Sequence, residues 1–407
     1  MPKKIQAILL TASIAIIGFA FAGGLRVHAA DNTSDASYSH MQVYSEVLYH
    51  VRAEYVEEPN MNLVTNGALH GMLESLDANS SYLSPEEYKV FKQKKATGHA
   101  GIGATVSKRF GYAVVVSVLS GSPADKAGIT DGDIIEGMDG QSTHDMSLAE
   151  IRNRLEGDPG SKLECSLIRV HKVEPQKISF VREEVKLPAI QAKMLPDNVA
   201  YVKAIVLNKG RAAEIASRIK ELEKSGAKKL VLDLRDASYG DEEEGIAAAN
   251  LFLDKGLIAS LQGQKYTKVE YNADAQKKIT DLPLAVLVNH GTSGPAEIVA
   301  AAVLDNKRGD ILGDKTFGDG SVQKLIEVPD GSALILSIAK YYTPGGKIIQ
   351  DTGITPNILV ASASDLIAAA SDDEDGAAPA EPQKAAPAND EQLNKAIQVL
   401  KTKGQKG

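Results

Sequence analysis

Two stretches of this chain carry residues whose type and spacing could do chemistry. The first is Gly101-Ile102-Gly103, where a Gly-x-Gly turn can aim successive backbone N–H groups at one point and make a nest for a carboxylate. An extended peptide could then lie along the adjoining strand edge as an extra strand. Taken alone, the same three residues also read as a bare turn. The second stretch runs from His290 to Ser293, where a hydroxyl three residues after an imidazole allows a nucleophile and base to pair. The plainer reading of His290 is a solvated loop histidine. Ser362-Ala363-Ser364-Asp365 adds hydroxyls, but in the tail of the chain. The single cysteine, Cys165, leaves no room for an internal disulfide framework or a Cys-rich zinc site, and neither metal nor cofactor is expected.

Something must position these groups, and 407 residues are enough for two to three globular units. Hydrophobic residues at 43% and charged residues at 24% are those of a folded soluble protein. A net charge of −8 has the wrong sign for covering phosphates, so nucleic acid is excluded as a partner. Tyr44, Val47, Leu48, Val51 and Tyr55 recur at helical spacing, as do Leu69, Met72, Leu73 and Leu76, which gives two or three helices between Tyr38 and Lys95. A Gly-rich break at 97–103 then opens a unit of short strands and turns, with 112–119 the clearest strand, Ser122-Pro123 and Asp131-Gly132-Asp133 as turns, and an end near Arg182. Beyond it strands at 199–205, 229–234 and 284–289 alternate with helices at 211–224, 244–253 and 295–304. That alternation predicts an α/β core on a largely parallel sheet.

The two ends read differently. Lys3 and Lys4 precede an apolar run from Ile5 to about Gly24, and Val27-His28-Ala29 supplies small residues where a signal peptidase cuts. The run is also long enough for an uncleaved anchor. Either way the body is expected outside the cytoplasm, periplasmic or elsewhere in the cell envelope, with a membrane as partner only through this segment. Residues 371–391 are acidic, rich in Ala and Pro and without periodicity, which predicts a disordered linker. A short helix is expected after it, over about 391–401.

Three segments together give a resemblance. The stretch 101–106 (GIGATV), 120–140 (SGSPADKAGITDGDIIEGMDG) and 154–163 (RLEGDPGSKL) resemble a PDZ domain of the circularly permuted kind found in bacterial proteases. With 55–87, 315–358 and 390–400 added, nearly the whole chain past residue 29 resembles the carboxy-terminal processing peptidases, or tail-specific proteases, in the family's order. The fold this implies is an α/β peptidase core of the ClpP/crotonase-like type with an inserted PDZ domain and an N-terminal helical region. The expected divisions are 1–29 signal peptide or anchor, 30–97 helical region, 98–183 PDZ domain, 184–365 core, 366–391 linker and 392–407 terminal helix and tail.

The resemblance also implies a serine nucleophile with a lysine base, and here the chain departs from it. The family's nucleophile stretch, Ser-Ala-Ser-Ala-Ser-Glu-Ile, corresponds to Thr292-Ser293-Gly294-Pro295-Ala296-Glu297-Ile298, so the nucleophile position is Gly294. Its Phe-Gly-Lys-Gly-x-Val-Gln stretch corresponds to Phe317-Gly318-Asp319-Gly320-Ser321-Val322-Gln323, so the base position is Asp319. Glu297, Asp305, Phe317, Gly320 and Gln323 match and fix the register, Gln323 and Asp305 being retained neighbours of the pair. Lys315 is not the base. The turn after Asp233-Leu234-Arg235, Asn-Pro-Gly-Gly in the family, is Asp236-Ala237-Ser238-Tyr239-Gly240, followed by acids from Asp241 to Glu244 that would oppose an oxyanion. The expected function is therefore PDZ-mediated binding of polypeptide C-termini or unfolded envelope proteins at Gly101, Ile102 and Gly103, without proteolysis. The alternatives are an active serine endopeptidase with displaced catalytic groups, and a structural subunit that pairs with an active relative or with itself.

Overall fold

The computed structural model describes residues 32–97, 100–169, 172–361 and 390–403. The N-terminal segment 1–29, linker residues 366–389 and the serines at 362 and 364 lie outside them. Residues up to Gly67 and from Ala68 onward form two compact units. In the first, α1 (Asn32–Glu54) presents Met41, Val43 and Val47 to solvent.

Helix α2 (Met61–Glu74) leads into β1 (Ser81–Leu83) and α3 (Pro85–Thr97). Strand β1 departs from the expected helical run. Pro85 biases Ser84 towards extended backbone and suits the first turn of a helix, so the helix can begin only at Pro85. Ser84 and Glu87 close that start reciprocally, Ser84 N–H donating to Glu87 at 2.7 Å and Glu87 N–H to Ser84 Oγ at 3.4 Å.

The PDZ domain follows. Strands β3 (Ala104–Arg109), β4 (Tyr112–Val118), β5 (Ile134–Met138), β8 (Lys162–Arg169) and β9 (Lys172–Val181) form an antiparallel sheet in that order, with β6 (Gln141–Ser142) on β5. Short α4 (Pro123–Lys126) and longer α5 (Leu148–Leu155) pack on it, and β2 (Ala100–Gly101) lies between β7 (Glu156–Gly157) and β10 (Glu183–Glu184). Alternation sorts β4 cleanly. Ala113 and Val115 enter the PDZ core, and Val114 and Val116 point to the opposite face.

The α/β core is a six-stranded sheet in the order β11 (Gln191–Leu195), β12 (Val199–Lys203), β14 (Lys229–Asp233), β18 (Leu284–Val288), β19 (Gly309–Gly313) and β22 (Ile358–Leu359), parallel except for β11. One face carries α6 (Arg211–Lys224), α7 (Glu242–Asn250) and α8 (Pro295–Asp305), while Ala396 and Leu400 of α9 (Glu391–Lys403) are buried against the other. Helix α6 packs by a single stripe, Ala212, Ile215 and Ile219, whereas α8 is buried almost all round. Helix α7 begins two residues earlier than its expected start at Glu244, because three glutamates in its first turn complement the helix N-terminus. It ends at Asn250, whose side-chain amide donates to Asp274 C=O at 2.9 Å. Strand β13 (Val206–Leu207) pairs with β15 (Tyr239–Gly240) beside this layer.

A second core sheet is antiparallel and has no counterpart in the expected alternation. It joins β1, β16 (Leu257–Gln262), β17 (Val269–Asn272), β20 (Ser321–Glu327) and β21 (Ala333–Tyr342), with Tyr82 of β1 opposite Leu334. It carries β20 directly away from Asp319.

Candidate active site

Gly294 is the N-cap of α8, with φ +58° and ψ −120°, backbone that an L side chain rarely adopts. A Cβ built there meets only one atom within 4 Å, the backbone oxygen of Asp319 at 4.0 Å. The fold thus brings positions 294 and 319 face to face.

Glu297 ties the two together. It lies three residues into α8 and is fully buried, and its Oε2 accepts from Gly294 N–H at 3.0 Å and Asp319 N–H at 2.8 Å. Its Oε1 meets Gly318 N–H at 2.7 Å and the Thr316 hydroxyl. Burial pushes its carboxyl up to about 8, against the pull of the N–H groups of Gly318 and Asp319 and of the Thr316 hydroxyl, which donates to it and itself accepts from Ile354 N–H at 2.7 Å. The sequence marked Glu297 only as an anchor of register. Its place three residues after a helix N-cap was the available signal for a capping role.

Asp319 itself is half-buried. Gln323, expected as its partner, turns away and donates to Ser321 O at 3.1 Å and Ser321 Oγ at 2.8 Å, across a β-bulge between Val322 and Gln323. The donor that reaches Asp319 Oδ1 is Asn79 Nδ2 at 3.3 Å, which also meets Ser321 Oγ at 3.0 Å. Burial raises the Asp319 pKa, while the charge of Arg152 and the Asn79 bond oppose the rise. Asp305, the other expected neighbour, is not one. It ends α8, a full helix away from Gly294, and accepts Gly345 N–H at 2.8 Å in the turn after β21.

The turn after β14 is closed on itself. Asp236, at φ +64°, donates its N–H to Asn289 Oδ1 at 2.9 Å and accepts Asn289 Nδ2 at 2.7 Å. Ala237 N–H goes to Leu234 O at 3.2 Å, and Ser293 N–H to Ala237 O at 2.8 Å. Ser293 is 3% exposed and His290 lies on the surface, with no hydrogen bond between them among the described residues. The acids after the turn divide. Glu244 accepts from Gly210 N–H at 2.8 Å and Ala212 N–H at 3.0 Å and so serves the start of α6, whereas Glu242 stays close enough for the charge of Asp319 to help raise its pKa after burial.

The PDZ loop is different. Ile102 O accepts from Ala124 N–H and Gly103 O from Leu119 N–H, both at 2.8 Å, while the amides of Ile102 and Gly103 donate to no backbone carbonyl among the described residues. Gly103 has φ +75°, and a Cβ there would lie 2.3 Å from Ser122 Cβ, so only glycine fits. These two amides end at β3, an edge strand of the PDZ sheet. Arg152 of α5 lies on that edge, donating to Val106 O through Nε at 3.3 Å and Nη2 at 3.2 Å. The same domain touches both catalytic turns. Ser117 Oγ bonds Ser238 Oγ, and Arg109 stacks on the Phe317 ring at 4.4 Å while donating to Phe317 O at 2.9 Å.

Together these features define a serine-peptidase scaffold with a second, β-rich module set over the turns that hold positions 238 and 317. Residues 198–360 match the model of peptidase family S41, and residues 114–169 match that of the PDZ domain. The chain is 32% identical to the carboxy-terminal-processing protease of Bartonella bacilliformis over 81% of its own length and 77% of that protein. Against the carboxy-terminal processing protease CtpA of Bacillus subtilis the identity is 32%, over 88% of this chain and 76% of the relative. The solved structure of a photosystem II D1 C-terminal processing protease superposes with a TM-score of 0.67 at 27% identity, covering 77% of this chain and 86% of that one. The chain belongs to the carboxy-terminal processing proteases of peptidase family S41.

Proposed function

We propose that this chain is an exported, proteolytically silent member of its family that binds polypeptide C-termini through the PDZ domain. One observation carries the reading: positions 294 and 319 face each other with neither a nucleophile nor a base between them. Acyl transfer needs an atom to attack and a group to take its proton. Glycine offers no such atom, and Asp319 lacks the positive reach of a lysine. The turn that would stabilise an oxyanion adds to this, since the amides of Asp236 and Ala237 are engaged and a carboxylate stands among them. Ser293 does not replace the lost hydroxyl, being buried and unpaired with His290.

The binding half of the proposal rests on the unspent amides of Ile102 and Gly103 next to an open strand edge, an arrangement that receives a chain end by its carboxylate and its backbone. Export rests on Lys3, Lys4 and the apolar run after them. A fluorophosphonate probe on the purified protein tests the silence: no labelling is expected, and labelling that disappears in Ser293→Ala would overturn it. Gly294→Ser with Asp319→Lys restores the two groups but not the turn, so weak activity at most is expected. N-terminal sequencing of protein from fractionated cells tests export, and an intact Met1 in the cytosol would refute it.

A further inference from the structure

A cavity of about 280 Å³ lies between the PDZ domain and the core, apart from both Gly294 and the Ile102–Gly103 amides. We propose that it is a second ligand site, for a small free carboxylate with an apolar side chain, of about the size of a dipeptide. The proposal does not depend on peptide binding at the PDZ loop.

The cavity exists because of how β4 is shared. Its inner residues are used by the PDZ core, so Val114 and Val116 on its outer face must be covered by the other domain, and while Val116 is buried Val114 is covered incompletely. Phe317 completes this apolar wall, its ring held by Arg109 stacked on it. The volume is near the lower end of the roughly 300–1,000 Å³ of small-molecule pockets, too little for an extended chain.

Charge selects the ligand. Lys315 and His290 both line the cavity, are exposed, and have no ion pair or hydrogen bond among the described residues. Arg109 spends one N–H on Phe317 O and keeps the rest of its donors. The acids on the same wall are engaged. Asp351 accepts Gln350 Nε2 at 3.0 Å, and Asp131 has partners of its own. The unspent N–H donors of Lys315, His290 and Arg109 favour a ligand that accepts, an anion above all, and the apolar wall asks for a hydrophobic group beside it. An acylated dipeptide acid satisfies both.

Calorimetry on the full chain tests the site with N-acetyl-alanyl-leucine as free acid and as amide. The free acid is expected to bind and the amide to bind about tenfold more weakly or not at all. Lys315→Met with His290→Gln alters only exposed side chains and is expected to weaken the acid by about tenfold or more. Val114→Trp, which fills the cavity, is expected to do the same. No binding of the acid to the wild type, or binding that the Lys315 and His290 changes leave intact, overturns the proposal. The second result would place the dipeptide at the PDZ amides instead.

Discussion

The loop at 101–103, proposed above to receive a chain end, and the turns around 294 and 319, where the family carries its dyad, treat their backbone donors in opposite ways. In the PDZ loop two successive amides are left without an acceptor among the described residues, beside a glycine at positive φ. Around the catalytic positions the amides of Asp236, Ala237, Ser293, Gly294, Gly318 and Asp319 all have acceptors within the fold. A site that recognises must hold donors in reserve, since a donor already satisfied has nothing left for a ligand. Those six amides hold nothing in reserve and, on the reading proposed above, serve the fold. The two regions should therefore fail differently, the turns by unfolding and the loop by losing its ligand.

The largest effect is expected at Glu297. Removing it in Glu297→Ala leaves buried donors from two loops unmatched, Gly294 N–H in one and Thr316, Gly318 and Asp319 in the other, and at roughly 1–3 kcal/mol for each orphaned group the loss should reach about 3–5 kcal/mol after relaxation. In Glu297→Gln the amide nitrogen replaces the oxygen that meets Gly318 N–H, so one donor faces another and the cost should be about 1–3 kcal/mol. Urea denaturation measures both, and a Glu297→Ala variant as stable as the wild type would mean that these turns are not held as described. The pH dependence sharpens the point. Because burial raises the carboxyl from 4.5 to about 8 in the folded state, that state holds its proton more tightly than the unfolded chain does. The stability this supplies is complete below about 4.5 and is lost as pH rises through about 8, a slope that should vanish in Glu297→Gln.

The PDZ loop should respond in binding. Amidating a peptide C-terminus removes the charge that the two amides would take up, and charge-assisted hydrogen bonds of about 1.5–3 kcal/mol correspond to roughly ten- to a hundredfold in affinity. Gly103→Val should abolish binding by bringing a side chain against Ser122. Equal affinity for amidated and free peptides in calorimetry would show that the loop does not read chain ends, and the contrast with the catalytic turns would collapse.

Gly294→Ala sharpens the catalytic half. The added Cβ has room, so its cost is that of backbone at φ +58° and ψ −120°, about 1–3 kcal/mol. That is the strain a nucleophile in this seat would carry, and glycine removes it. A neutral substitution in thermal denaturation would show that the seat relaxes around any residue and retains no strained geometry.

The sequence made some of this legible and hid the rest for physical reasons. Helix α6 and strand β18 were readable because each carries its own period, the stripe of Ile215 and Ile219 in one and an unbroken apolar run in the other. Strand β1 was not, since three residues have no period and their partners around Leu334 lie far along the chain. The pairing of 294 with 319 could be read from motif register. Asn79 could not be found as the donor to Asp319, nor Arg152 on the edge of β3, because both contacts are made between distant segments and leave no local pattern.

Arg152 joins the two regions and should give the smallest effect. Its guanidinium sits on Val106 O, a carbonyl that a peptide added to β3 needs for its own N–H. A peptide must displace it, at the cost of two hydrogen bonds near 3.2–3.3 Å to one exposed side chain, which water largely replaces. Arg152→Ala should therefore tighten C-terminal peptides by only about three- to tenfold, close to 1 kcal/mol. The same change removes the positive charge that holds down the pKa of Asp319, so that carboxyl should rise further. Calorimetry across the pair of proteins decides the matter. Weaker binding in Arg152→Ala would mean that the guanidinium helps to hold the peptide, and the reserve of donors in the PDZ domain would then extend beyond the amides of Ile102 and Gly103.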